Sequence, residues 1–172
     1  MKNSVLLITL SGPDRPGIVH EVATAVHTHG GNWERSRLIH LSGRFVGLLQ
    51  VSVEDGSRDA LRKGLTAIEG LDLTVAEGEE KPVAAGTLFK VSLVGADYPG
   101  IVREVFGAAA ELGLNVESMS TRTEAAADSG TLLFRADARL SSPKPLPQSA
   151  VQDKLEAIAQ DFLVEVSVSE SP

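Results

Sequence analysis

Apolar residues along this chain first run together or alternate over short stretches and then recur every three or four positions, and this change of rhythm happens in the same order twice. Ser4–Leu10 is aliphatic and β-branched and meets the turn cluster Gly12-Pro13-Asp14, which predicts a strand ending in a loop. Pro16 suits the first turn of a helix, and Ile18, Val22 and Val26, with Val19 beside them, form an apolar stripe that stops at Gly30-Gly31. Trp33–Leu41 and Phe45–Val53 are extended segments joined around Ser42-Gly43, a hairpin signal. Leu61, Leu65 and Ile68 mark a second helix, and the alternating Leu71, Leu73 and Val75 a closing strand.

The second half repeats this order. It reads as strand Thr87–Val94, a helix from Pro99 to Leu112 with Ile101, Val105 and Ala109 on one stripe, strand Val116–Glu124, and a strand opened by Gly130. In that strand Phe134, Ala136, Ala138 and Leu140 alternate with Arg135, Asp137 and Arg139, so one face is buried and the other wet, as an antiparallel sheet allows. Ser141–Ser149, with three prolines, predicts an extended surface loop. Val151, Leu155 and Ile158 then give a helix, and Phe162, Val164, Val166 and Val168 alternate along a last strand.

The repetition reaches the residues themselves. Asp14–Glu34 and Asp97–Glu117, offset by 97 − 14 = 83 positions, are identical at 11 of 21 places. The chain is therefore expected to be α+β, with two βαββαβ modules of the ferredoxin-like kind in tandem, antiparallel sheets and helices on one face. The first module is placed at 1–77, a linker at 78–86 and the second module at 87–172. Modules of roughly 80 residues gain from packing on a neighbour, so the two copies are expected to pair within the chain, with further homodimerisation open to it.

Charge narrows the partners. Residues 1–77 carry 8 basic and 9 acidic side chains, net −1, whereas 78–172 carry 8 and 14, net −6. Direct nucleic-acid binding needs clustered cations, and the nearest cluster is Arg35, Arg37 and Arg44 around one hairpin, read as solvated charge on an exposed strand. The absence of cysteine removes disulfides and thiolate chemistry and suits a cytoplasmic location. The apolar run Val5–Leu10 is too short for a membrane span.

Candidate chemistry gathers where the first strand of each copy hands over to its first helix, and where that helix ends. Helix-start amides and the positive end of the dipole face the Gly12–Gly17 and Gly95–Gly100 loops and favour a carboxylate, while Asp14 and Asp97 can accept from an ammonium. That pairing suits a free amino acid. The same Asp residues also fit a helix N-cap, and Asn32 and Asn115 fit either left-handed turn positions or ligand-reading amides. A helix of about fourteen residues, roughly 21 Å, separates the two points, so one module cannot close both on one small molecule.

Asp-x-Pro-Gly-Ile-Val followed by Gly-x-Asn, inside a duplicated βαββαβ frame, resembles a pair of ACT domains, small amino-acid-sensing regulatory modules. The resemblance implies an effector amino acid held between two modules by Gly12, Asp14, Pro16, Gly17 and Asn32, and in the second copy by Gly95, Asp97, Pro99, Gly100 and Asn115. A tandem pair without an attached enzyme is similar to the glycine cleavage system transcriptional repressor family, which implies glycine as effector and a separate DNA-binding protein as partner. Similar first modules precede the hydrolase of formyltetrahydrofolate deformylases, but here a second copy occupies that place.

Catalysis is not expected. The sequence holds no nucleophile elbow, P-loop, dinucleotide-binding glycine motif or zinc signature, so neither catalytic residues nor cofactors nor a metal are assigned. His27 and His29 point about 200° apart on a helix and cannot share a metal, His20 and His27 lack further ligands, and His40 is a lone strand histidine. Trp33 is assigned to core or interface rather than to stacking. The expected function is a non-enzymatic, amino-acid-responsive regulator acting on transcription through a partner protein. The alternatives are a ligand-free interaction module and an accessory subunit of an amino-acid enzyme.

Overall fold

A computed structural model of the chain describes residues 3–78, 86–126, 130–160 and 164–171. Phe162 and most of the 78–86 segment expected to be a linker lie outside the described residues. The chain divides into two compact units, Met1–Lys81 and Pro82–Pro172.

The first unit holds β1 (Asn3–Pro13), α1 (Ile18–Thr28), β2 (Asn32–Leu41), β3 (Arg44–Glu54), α2 (Arg58–Thr66) and β4 (Asp72–Glu77). Its antiparallel sheet runs β2-β3-β1-β4. Even-numbered residues of β1 and odd-numbered residues of β3 face the helices. Leu6, Ile8, Leu10, Leu49, Val51 and Val53 thereby form a dry core with Ile18, Val22 and Val26 of α1 and Leu61 and Leu65 of α2. The β2–β3 connection is the two-residue turn expected, with Ser42 (φ 50°) and Gly43 (φ 78°) both left-handed, as a type I′ hairpin requires.

The second unit repeats the order with β5 (Thr87–Ala96), α3 (Ile101–Glu111), β6 (Asn115–Ala125), β7 (Leu132–Ser142), α4 (Gln148–Gln160) and β8 (Val164–Ser171), in a sheet ordered β6-β7-β5-β8. Phe89, Val91, Leu93, Phe134, Ala136, Ala138 and Leu140 pack against Ile101, Val105 and Ala109 of α3 and Val151 and Leu155 of α4. Two α4 glutamines also blunt the edge strand β8. Gln148 Nε2 donates to Val168 O (2.7 Å), and Gln152 both donates to Val166 O (2.9 Å) and accepts from Val168 N–H (2.8 Å).

Several boundaries differ from the sequence reading. Both first helices start two residues later than expected, at Ile18 and Ile101, because Gly17 (φ 93°) and Gly100 (φ 103°) are left-handed and cannot belong to the helix. Val19 lies off the buried stripe and is 45% exposed. The extended loop expected over Ser141–Ser149 shrinks at both ends. Ser141 and Ser142 retain the N–H groups that prolines lack and continue β7, opposite Leu88 and Thr87, and α4 begins at Gln148.

Candidate functional site

The loop after β1 is built alike in both units. Asp14 N–H donates to Gly43 O (3.0 Å) in the hairpin turn, and Asp97 N–H donates to the matching Leu132 O (3.0 Å). Pro16 and Pro99 sit in the turn before Gly17 and Gly100, which are the N-cap residues and offer no side-chain cap. The N-cap reading of Asp14 and Asp97 is thereby excluded: each lies three residues upstream of the cap. The first α1 amide to bond back into the helix is Glu21 N–H, to Gly17 O at 2.9 Å, so the amides of Ile18, Val19 and His20 precede the hydrogen-bond ladder.

Gly12 has a packing reason to lack a side chain. A Cβ there would fall 2.4 Å from Gly70 O and 2.6 Å from Leu71 Cδ2, in the turn that leads into β4. Gly17 is different, because a Cβ there would meet only Glu21 Oε1 at an ordinary 3.7 Å, and only its backbone angle demands glycine. Gly95, at the Gly12 position of the second unit, is buried opposite Phe134 in β7.

The left-handed reading of Asn32 and Asn115 fails as well. Both open strands, opposite Ser52 and Ser141, and the left-handed residues beside them are Gly30 and Gly113. Asn32 is exposed and its amide has no side-chain partner among the described residues, whereas Asn115 Nδ2 donates to Glu117 Oε1 (2.9 Å). Gly12 pairs with Phe45 and Asn32 with Ser52 on the same β3, seven residues apart, or roughly 23 Å along the strand. The α1 helix of 11 residues adds a similar span of about 16 Å. Within one unit the nominated residues thus fall at opposite ends of the sheet, as the sequence argument required.

Beside the first loop lies an open depression of about 470 Å³ lined by Asp14, Gly17, Val19, His20, Ala23 and Phe45, among others. His40, read from the sequence as a lone strand histidine, approaches the loop: its Nε2 is 3.8 Å from Asp14 Oδ2. A β-bulge between Trp33 and Arg35 brings it there by inverting the alternation of β2, so that Leu38 and His40, not Ile39 and Leu41, share the helix side with Trp33. An equivalent bulge between Val116 and Ser118 puts Thr123 at the corresponding place, and Asp97 has no side-chain partner among the described residues. Each bulge holds a glutamate. Gln50 Nε2 donates to Glu34 (2.7 Å), while Ser141 and Asn115 donate to Glu117 and hold its carboxyl below the ordinary range.

Arg15, the loop's cation, is already engaged. Its guanidinium grips Glu21 bidentately at 2.5 and 2.6 Å and reaches Glu69 O at 3.3 Å. Hydrogen bonds from Arg15 hold the Glu21 carboxyl below the ordinary glutamate range. A folded-state pKa that is depressed stabilises above the unfolded value and ceases to do so as pH falls through the folded one. Carbon-detected NMR titration should therefore show Glu21 protonating below a free glutamate, and Arg15→Ala should return it upward. In the second unit Tyr98 stands in the Arg15 position and packs against the core.

Among the described residues no group of three or more His, Asp or Glu side chains is arranged to hold a metal ion, and His29 lies across Gly64 of α2 instead. No helix among them is long and apolar enough to cross a membrane.

Two βαββαβ units with glycine-capped first helices define a tandem of the ACT regulatory fold. Residues 4–76 match the ACT domain family model, and the first unit is an ACT domain. The crystal structure of an unknown protein from Galdieria sulphuraria superposes with a TM-score of 0.88 at 25% identity, covering 99% of this chain and 100% of that one. A structure described as a "putative glycine cleavage system transcriptional repressor" shares the fold over 99% of both chains, at 19% identity and a TM-score of 0.70. No curated protein matches the chain.

Proposed function

We propose that the chain is a non-enzymatic, amino-acid-responsive regulator that controls transcription through a partner protein, with glycine as the first effector to try. The observation that carries this reading is the repeated loop, in which a left-handed glycine rather than the acidic residue caps the helix. Asp14 and Asp97 are left with no capping duty, next to helix-start amides that suit a carboxylate. The likeness over the whole chain to the structure described as a glycine cleavage repressor supports the regulatory half. Effector contacts are proposed for Gly12, Asp14, Pro16, Gly17 and Asn32 and for Gly95, Asp97, Pro99, Gly100 and Asn115, with Asp14 and Asp97 receiving the ammonium. Because Asn32 and Asp14 stand apart within a unit, the reading requires a second module to complete each site, from the same chain or from a dimer partner.

Titration calorimetry against the twenty amino acids tests the reading. Binding of at least one small amino acid is expected, weakened tenfold or more by Asp14→Ala or Asp97→Ala. Stability should stay within about 0.5 kcal/mol, since no cap is lost. Silence across the whole set would remove the sensing role. The ligand-free interaction module would then stand, a reading favoured by the Asn115 amide being bonded to Glu117.

A further inference from the structure

The outer face of each sheet, the one turned away from the helices, separates the two copies of the fold. In the first unit this face carries Leu7 (37% exposed), Leu48 (43%), Ile39 (56%) and Leu41 (66%). The corresponding registers of the second unit are Lys90, Asp137, Arg122 and Glu124. All four of these exposed apolar places are charged places in the second copy.

On the second face Asp137, Arg122, Glu124 and Arg135 pair with one another, whereas Lys90 and Arg139 have no ion-pair partner among the described residues. Ser92 Oγ donates to Asp137 (2.8 Å), Arg122 reaches Asp137 (3.7 Å) and Glu124 (3.1 Å), and Arg135 bonds Glu124. On the first face, Arg35 and Arg37 project from β2 beside Leu7 and Leu48 over an open depression of about 520 Å³, and neither has an ion-pair partner among the described residues. The nearby acid, Glu34, is held by Gln50. Exposed aliphatic residues ringed by unpaired guanidinium groups mark a surface completed by something else.

We propose that the outer sheet face of the first unit is the docking surface for a partner protein, which presents an amphipathic segment with aliphatic and acidic side chains. The aliphatic side chains would cover Leu7, Leu48 and Ile39, and the carboxylates would pair with Arg35 and Arg37. A stacking nucleic acid fits this face poorly, because none of its outward-facing positions is aromatic. A second copy of the chain does not supply the missing charge either, since the same face offers two further cations. The identification of a protein partner rests on the regulatory reading above, but the surface itself does not depend on the amino-acid site.

The test uses the whole chain, isotope-labelled, and a ten-residue peptide alternating glutamate and leucine, with an alternating lysine–leucine peptide, a single-stranded oligonucleotide and the chain's own dilution series as comparison arms. The glutamate peptide is expected to shift amide resonances of Leu7, Arg37 and Leu48. Arg35→Glu with Arg37→Glu should weaken it at least tenfold and confer binding of the lysine peptide, a reversal that unfolding cannot imitate. Leu48→Asp, which installs the residue found at this register in the second unit, should abolish the shifts while the spectrum stays folded. Amino-acid binding by the doubly reversed protein should be unchanged, so failure here is distinguishable from failure of the sensor. Shifts elsewhere, indifference to the charge reversal, stronger binding of the oligonucleotide, or self-association through this face would each overturn the proposal.

Discussion

Phe89→Ala is expected to lower the stability of the second unit by about 3–5 kcal/mol, the largest effect of any single substitution considered for this chain. Phe89 has no solvent exposure, sits in the central strand β5 opposite Leu140, and belongs to a cluster supplied by both helices and the sheet. Truncation removes the transfer free energy of a ring and leaves a cavity whose walls are strands and helix turns that cannot close over it. Whole domains are stable by only about 5–15 kcal/mol, so the loss takes a large share. The chain offers a built-in way to read it, because Trp33, its one tryptophan, packs on the other core. In a urea titration, circular dichroism should show part of the helix and strand signal melting earlier. Trp33 fluorescence would follow it only if the two units unfold together, and an unchanged midpoint in both signals would contradict the packing described for Phe89.

Gly12→Ala is expected to destabilise the first unit by roughly 2–3 kcal/mol through overpacking. The methyl would press on a carbonyl oxygen and on Leu71, so relief requires moving the turn before β4, where Arg15 also bonds Glu69 O. Here the Trp33 signal should shift to lower denaturant. Gly17→Ala is the instructive contrast. It meets only an ordinary contact with Glu21 Oε1 (3.7 Å) and strains the left-handed backbone, by about 1–2 kcal/mol, and its effect should be accompanied by a later or frayed start of α1. If Gly12→Ala proved neutral, the close approach to Gly70 would be refuted.

The element order and both cores were legible because burial imposes its periods on the sequence: Ile18, Val22 and Val26 at helical spacing, Phe134 to Leu140 at strand spacing. Helix starts were misjudged because proline suits both a first helical turn and the turn before a left-handed cap, and only the backbone angle of Gly17 separates the two. The bulge was the larger loss. Uninterrupted alternation from the inward Trp33 puts Arg35, Arg37, Ile39 and Leu41 inside and His40 outside, and one extra residue, Glu34, reverses all of them. Its recurrence at Glu117 could have hinted at a shared irregularity, since the glutamate repeats at the same offset of 83 as the loop. The Asp14–His40 approach depends on that reversal and had no signal of its own. What the two outer faces do was equally hidden, because it follows from which register carries Leu48 and which carries Asp137.

The β1–β4 pairing has a consequence for how such chains are assembled. Gly78 N–H donates to Val5 O at 2.7 Å, so the backbone leaves the first unit within one hydrogen bond of where it came in. A module whose way in and way out share a doorway can be copied along a gene like a bead on a string. Joining a further bead asks for only a short stretch of extra backbone and no redrawing of either sheet.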